Sequence, residues 1–230
     1  MMATYNRKDI TIMTYDEYIS RLFEIHCDCN REQYYAEIIK PFLDICCPDG
    51  VKVVPVYDDR RTGKKDASST TDYAKRMEII CAKRSNKIGD YVVPDFIYVS
   101  RKYTFIAPQK PIIMIEQKVP MLSEDGKGYR PLSIEYLNSN QKLINELSTE
   151  IRACKKVICT DGITWMVLEK KQGKLVECND YTKMCLVELK KDVYINPATN
   201  RKWNEYRYYE LDSTRWGITE KIKSLVASMQ

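Results

Sequence analysis

The stretch Val92–Pro120, VVPDFIYVSRKYTFIAPQKPIIMIEQKVP, decides the fold that we expect for this chain. It predicts two strands, Pro94–Val99 and Pro111–Lys118, joined by a short polar connection. The second strand begins with apolar, mostly β-branched residues, a pattern typical of a central strand that is covered on both faces. Because side chains alternate along a strand, Glu116 and Lys118 at its end point to the same face. A buried charge is costly unless it is paired or binds a metal ion, so this strand ending needs an explanation.

The order Pro94-Asp95, hairpin, Glu116-Gln117-Lys118 resembles the motif of the PD-(D/E)XK nuclease superfamily. In that superfamily an aspartate and a glutamate on adjacent strands bind one or two divalent ions, usually magnesium, and the lysine positions and activates the attacking water. The resemblance implies that Asp95 and Glu116 bind Mg²⁺, with Mn²⁺ as a substitute, together with the backbone carbonyl of Gln117. It also implies that Lys118 stands beside the water, with a pKa lowered by desolvation near the metal.

Two further site residues follow from the resemblance. Many members of the superfamily carry a glutamate on the helix before the first core strand, which suggests Glu37, with Glu32 as a weaker competitor. Several branches carry a glutamine or lysine on the helix after the E-x-K strand, which suggests Gln141. The alternative for both residues is a solvated side chain on a helix surface.

The fold implied by the resemblance is α/β, with a restriction-endonuclease-like core of order αβββαβ, a central mixed sheet flanked by helices, and a C-terminal extension. We expect one domain over residues 1–230, with the core at about 31–170 and the β/α extension at about 171–230. Thr160-Asp161-Gly162 between two strands is similar to the end of the core in restriction-type members, particularly the N-terminal nuclease region of type I restriction motor subunits. Asp-Gly is a strong tight-turn signal, so we interpret Asp161 as structural.

Local patterns predict the remaining elements. Thr14 with Glu17, and Asn30 with Gln33, have the spacing of capping boxes. Pro41 is expected to kink or shorten its helix. The predicted helices are Tyr15–His26, Arg31–Ile45, Thr71–Arg84, Ile134–Cys154 (capped by Ser133) and Thr219–Met229. The other predicted strands are Val51–Tyr57, Lys155–Thr160, Ile163–Glu169, Leu175–Cys178 and Met184–Leu189.

Three polar segments are candidate contacts for a nucleic-acid backbone, and each could equally be a solvated loop. They are the loop Asp58–Thr70, the basic turn Lys83–Lys87, and the loop Ser123–Arg130 with Lys127 and Arg130.

Composition restricts the class of protein. A chain of 230 residues can build one large domain, and its net charge of +5 suits a polyanionic partner without indicating one. Nine cysteines and an N-terminus without an apolar signal-peptide region indicate a reducing cytoplasm with free, mostly buried thiols. His26, Cys27 and Cys29 could form half of a zinc site, but no second half is visible. No apolar run approaches the length of a membrane span, so we expect no membrane partner.

Three functions from different classes remain open at this point. The first is a Mg²⁺-dependent endonuclease acting on DNA, and a homodimer would supply the two active sites needed to cut a duplex. The second is a catalytically silent nuclease fold that binds nucleic acid or assembles with a partner. The third is an unrelated α/β protein in which Glu116 and Lys118 form a structural ion pair. Intact Asp95, Glu116 and Lys118 favour the first, because silent members usually lose one of the three.

Overall fold

A computed structural model describes residues 14–28, 32–56, 76–85, 90–119, 121–122, 129–130, 132–181, 184–195, 198–200, 202–210 and 217–230. Several sequence predictions lie outside these residues or concern side chains that are not described. They are the loop Asp58–Thr70, the cap at Asn30, Lys87, Lys127, and the side chains of Glu32, His26 and Arg130.

Six helices and thirteen strands make up the described part of the chain. The helices are α1 (Tyr15–Asp28), α2 (Glu32–Ile45), α3 (described part, residues 76–80), α4 (Ile134–Ser139), α5 (Gln141–Cys154) and α6 (Ile218–Ser228). The strands are β1 (Val51–Pro55), β2 (Ala82–Lys83), β3 (Tyr91–Val92), β4 (Phe96–Ser100), β5 (Ile113–Gln117), β6 (Met121–Leu122), β7 (Tyr129–Arg130), β8 (Val157–Thr160), β9 (Thr164–Lys171), β10 (Lys174–Glu177), β11 (Met184–Cys185), β12 (Val187–Ile195) and β13 (Lys202–Glu210). None of the described helices combines the length and the apolar character needed to cross a bilayer.

The central sheet is mixed and has the strand order β1-β4-β5-β8-β9-β10, with β11 paired to β9. Neighbouring strands are antiparallel except β5 and β8, which are parallel. A parallel pair needs a long crossover, and here the connection contains α4 and α5. The predicted α/β class, with a mixed central sheet flanked by helices, is confirmed.

Strand β5 separates two apolar cores. Ile113 and Ile115 point into a core shared with α1, α2 and α6, whereas Met114 points into a core shared with α5. All five residues of β5 are buried. The expectation that this strand is covered on both faces is therefore confirmed.

Local capping signals agree with the structure at several helix ends. The backbone N–H of Thr14 donates to Glu17 at 2.8 Å, and the N–H of Glu17 donates to the Thr14 hydroxyl at 3.2 Å, which closes the predicted capping box. Ser133 caps α4 by accepting from the N–H of Tyr136 at 3.2 Å. Helix α2 continues through Pro41 to its last residue, so the proline does not shorten it.

Two of the predicted helices are wrong in extent. The single helix expected after Ser133 is divided at Asn140, whose side chain accepts from the N–H groups of Lys142 and Leu143 and so begins α5. The helix expected to reach Arg84 stops at residue 80, because the next residues form β2 and pair with β3. The β12–β13 hairpin lies in the C-terminal extension, where no strand was predicted over residues 202–210.

The predicted free thiols are confirmed for the side chains that the structure describes. Seven of the described cysteines form no disulfide bond, and five of these seven are buried. The five buried residues are Cys46, Cys81, Cys154, Cys159 and Cys178.

The turn between β8 and β9 is fixed by Asp161 and Gly162. One carboxylate oxygen of Asp161 accepts from the N–H groups of Ile163 at 3.0 Å and Thr164 at 2.5 Å. Gly162 has φ +85°, and an added Cβ would stand 3.1 Å from the side chain of Leu22. Asp161 is thus a turn residue, as the Asp-Gly signal predicted.

Gly162→Ala should destabilise the protein by about 2–4 kcal/mol, since it adds left-handed backbone strain to overpacking against α1. The matched control is Gly173→Ala, because Gly173 has φ +82° but open space around its Cβ position. It should lose only about 1 kcal/mol. Urea unfolding of both variants measures the difference, and equal losses would show that the contact with Leu22 is unimportant.

Candidate functional site

The register between β4 and β5 brings Asp95 and Glu116 together. Phe96 pairs with Ile115, so the residues one step further along, Asp95 and Glu116, stand opposite each other at the edge of the ladder. A carboxylate oxygen of Asp95 accepts a hydrogen bond from the backbone N–H of Gln117 at 2.6 Å. Directly opposed residues of an antiparallel pair share one face of the sheet. The two acidic residues singled out in the sequence are therefore neighbours.

Lys118 completes the group on the same face. Its ammonium donates a hydrogen bond to Glu116 Oε1, and the two side chains are 19% and 10% exposed respectively. The backbone N–H of Lys118 donates to the carbonyl of Thr160 on β8 at 2.7 Å. The sheet therefore holds the end of β5 firmly between β4 and β8.

The charge state of Lys118 depends on its pairing with Glu116. Burial disfavours the ammonium, but the attraction and hydrogen bond of Glu116 outweigh burial and raise the pKa of Lys118 above its ordinary value. The lowered pKa expected beside a bound metal ion stays a prediction. In its pair with Glu116, Lys118 is a cation at neutral pH.

A third carboxylate in this region, Glu150 of α5, was missed in the sequence. It is completely buried, and neither of its carboxylate oxygens has a hydrogen-bond partner within the part of the chain that the structure describes. Burial raises its pKa, and repulsion by Glu116 and Asp95 raises it further. Three carboxylates consequently influence one another at the end of β5.

A signal for Glu150 does exist in the sequence. Helix α5 carries an apolar stripe at helical spacing, which includes Leu147, Ile151 and Cys154. Glu150 falls inside that stripe, three residues after Leu147 and four before Cys154. An acidic residue within a buried helical stripe is unusual, and its position alone marks it as a functional candidate.

The two helix residues that the resemblance suggested do not join this group. Glu37 is exposed on α2, whose buried residues Ile38 and Ile39 belong to the core on the opposite face of β5. Gln141 is exposed in the first turn of α5 and donates to the side chain of Asn145 at 3.0 Å. It lies about 13 Å along the helix axis from Glu150 at 1.5 Å per residue.

Gln117 and the basic turn at Lys83 and Arg84 are the remaining residues that the sequence singled out. The side chain of Gln117 is buried on the face of β5 opposite to Glu116, and its carbonyl stays a predicted ligand. In the basic turn, Lys83 pairs with Glu78 at 3.4 Å, and Arg84 pairs with Glu146 at 3.8 Å. Their proposed contact with a nucleic-acid backbone stays a prediction.

The donor chemistry of the site suits a hard divalent cation. Carboxylate oxygens are preferred by Mg²⁺, and the two buried oxygens of Glu150 are available as acceptors. Among the described residues, however, no group of three or more His, Cys, Asp and Glu side chains is arranged so that it could hold a metal ion. The carboxylate ligands thus suit Mg²⁺ by type. Their side chains would have to move closer together to bind the ion.

Comparisons of the chain with protein-family models, with curated proteins and with solved structures return no match. The resemblance to PD-(D/E)XK nucleases thus depends on the residues themselves and on the strand order. Function has to be inferred from the chemistry gathered at the end of β5.

Glu150→Gln should stabilise the protein in EDTA at about pH 7, by about 1–3 kcal/mol, because it removes a buried carboxylate without a partner. The folded-state pKa of Glu150 is raised, so its folding contribution worsens as pH rises above its ordinary value of 4.5. The stability difference between the variant and the original protein should therefore shrink as pH falls toward about 5.

Urea unfolding at several pH values measures this difference. Glu146→Gln is the matched control on the same helix, since Glu146 is paired with Arg84 and Lys142. It should leave stability unchanged or slightly lower. A Glu150→Gln protein that is less stable at every pH would contradict the burial argument.

Proposed function

We propose that this protein is a metal-dependent nuclease that hydrolyses phosphodiester bonds, with DNA as its substrate. One observation carries the proposal: Asp95 stands opposite Glu116, and Lys118 extends from the same face at the end of a buried strand. Charges are rarely concentrated at such a position unless they bind a ligand or perform chemistry.

The order of elements supports the proposal. Helix α2 is followed by the antiparallel strands β1, β4 and β5, then by α5, and then by β8 parallel to β5. This order agrees with the αβββαβ core that the resemblance implies, with α3, β2 and β3 inserted between β1 and β4. Asp95 immediately precedes β4 and Glu116 lies near the end of β5, positions that suit the adjacent-strand aspartate and glutamate which the resemblance implies.

Asp95, Glu116 and the carbonyl of Gln117 would hold Mg²⁺. When bound, the ion would supply a more acidic water and neutralise charge that develops on the phosphate. Asp95 is oriented toward β5 by the N–H of Gln117, so its position depends on the sheet and not on a loop. Positioning by a rigid sheet suits a reaction in which small displacements of a ligand cost rate.

Lys118 acts as a fixed positive charge in this proposal. Its hydrogen bond to Glu116 favours the protonated ammonium, and a protonated amine is not a general base. A protonated ammonium next to Glu116 can instead donate a hydrogen bond to a non-bridging phosphate oxygen and stabilise the charge that develops there. The role supported here is therefore electrostatic, with proton abstraction from water left to other groups.

A structural ion pair in a protein without nuclease activity is the competing explanation. The direct contact between Lys118 and Glu116 favours it, because each of the two charges compensates the other. It does not account for Asp95 and Glu150, which add negative charge to the same region and raise its electrostatic cost. The nuclease proposal gives Asp95, Glu116 and Lys118 a common purpose.

The decisive experiment incubates the purified protein with supercoiled plasmid, linear duplex, single-stranded DNA and RNA, each with Mg²⁺, Mn²⁺ or EDTA. We expect cleavage that depends on the metal and prefers DNA. Asp95→Asn, Glu116→Gln and Lys118→Met should each lower the rate by about 100-fold or more. Lys142→Met is the matched loss of an exposed lysine, and it should cut at the original rate.

Each other outcome has a definite meaning. Metal binding without cleavage of any substrate would indicate the catalytically silent nucleic-acid-binding or assembly module. Full activity in Lys118→Met would refute the role given to that lysine. Neither metal binding nor cleavage would leave Glu116 and Lys118 as a structural ion pair.

A further inference from the structure

Glu150 is a buried acid with unsatisfied hydrogen-bonding capacity. Its exposure is 0%, and both carboxylate oxygens are without a hydrogen-bond partner among the described residues. Glu146, one turn earlier on α5, contrasts with it because that residue pairs with Arg84 at 3.8 Å and Lys142 at 3.9 Å. A buried acceptor that is left without a partner costs folding free energy, so the structure tolerates Glu150 at a loss of stability.

The placement of α5 directs Glu150 at the proposed site. The helix packs Leu147, Ile151 and Cys154 into the core on the Met114 face of β5, and Glu150 lies in the same stripe. Glu116 lies on that face two residues after Met114. Helix α5 packs against both β5 and β8, so Glu150 and Glu116 lie on facing surfaces of the helix and the sheet.

On the described strands β8 and β9, the side chains in the same row as Glu116 are uncharged. Along the row that crosses the sheet, Glu116 pairs with Cys159 of β8, and Cys159 pairs with Met166 of β9. Cys159 is a fully buried neutral thiol, because burial raises its pKa. Lys118 opposes the repulsion but is already bonded to Glu116. The carboxylate oxygens of Asp95, Glu116 and Glu150 are the kind of donor that a hard divalent cation prefers.

We propose that Glu150 is the third carboxylate ligand of the divalent ion held by Asp95 and Glu116, an inference that rests on the nuclease function proposed above. The ligand comes from the helix after the site strand, where the sequence had suggested Gln141, and not from the helix before the sheet. Glu150 would hold the ion from α5, while Asp95 and Glu116 would hold it from the sheet. Ion binding would therefore tie α5 to the sheet.

The test measures ion binding directly and does not depend on activity. Isothermal titration calorimetry with Mn²⁺ and with Mg²⁺ gives the dissociation constants of the original protein, Glu150→Gln and Glu146→Gln. Glu150→Gln should weaken Mn²⁺ binding by about 10-fold to 100-fold. It should also reduce the rise in melting temperature that the ion produces, since tighter binding to the folded state stabilises it more. Glu146→Gln should bind the ions as the original protein does.

Glu150→Asp separates ligation from folding. It keeps the carboxylate but shortens the side chain, so it should bind Mn²⁺ more tightly than Glu150→Gln and more weakly than the original protein. Melting in EDTA checks that each variant is folded before titration.

The outcomes distinguish this inference from the function on which it rests. Equal Mn²⁺ affinity in Glu150→Gln and the original protein would overturn the role of Glu150 and leave the site of Asp95 and Glu116 standing. An original protein that binds neither ion and shows no metal-dependent cleavage would overturn the nuclease proposal and, with it, the role of Glu150. Weaker binding in Glu150→Gln, with unchanged binding in Glu146→Gln, supports the third ligand.

Discussion

The burial of β5 on both faces is the constraint on which the rest of this structure depends. An interior strand gains stability from its apolar residues, but any charge that it carries is removed from water. Glu116 stands at the end of this strand and therefore needs compensation from its surroundings. Lys118 supplies part of that compensation, and the register with β4 adds Asp95 at the same place. A single buried strand thus explains both the stability of the sheet and the position of the site.

The two faces of the sheet have different tasks. The face covered by α1, α2 and α6 packs against an apolar core. The Asp161–Gly162 turn borders this core, and the carbonyl of Gly162 accepts a hydrogen bond from the hydroxyl of Tyr18 at 2.6 Å. The face covered by α5 mixes apolar contacts with Glu116 and Glu150. Glu116 and Glu150 therefore share the α5 side of the sheet, and the opposite side packs apolar side chains that support it. A rigid support of this kind suits a site whose geometry must be reproducible.

In the proposed function, stability and ion binding oppose each other at the end of β5. Like charges brought together under α5 lower the stability of the folded chain, and a cation that binds there would recover the loss. Proteins commonly accept strain or unfavourable electrostatics where they bind ligands, and neutral replacements at such positions are often stabilising. The pairing of Lys118 with Glu116 belongs to the same balance, because Glu116 raises the pKa of the lysine.

The sequence by itself determined the features that depend on neighbouring residues. The alternation along β5, the capping box at Thr14 and the turn at Asp161–Gly162 are local, because each needs only side chains a few positions apart. The pairing of Asp95 with Glu116 could also be anticipated, since a short hairpin joins their strands. Only the tertiary structure decided which helix residue belongs to the proposed site. Helical periodicity shows which side of α5 or α2 is buried, but it does not show which sheet face each helix covers or at what height. Those depend on the crossover and on packing between distant segments, so only the folded chain places Glu150 near the acidic pair and Glu37 on the surface.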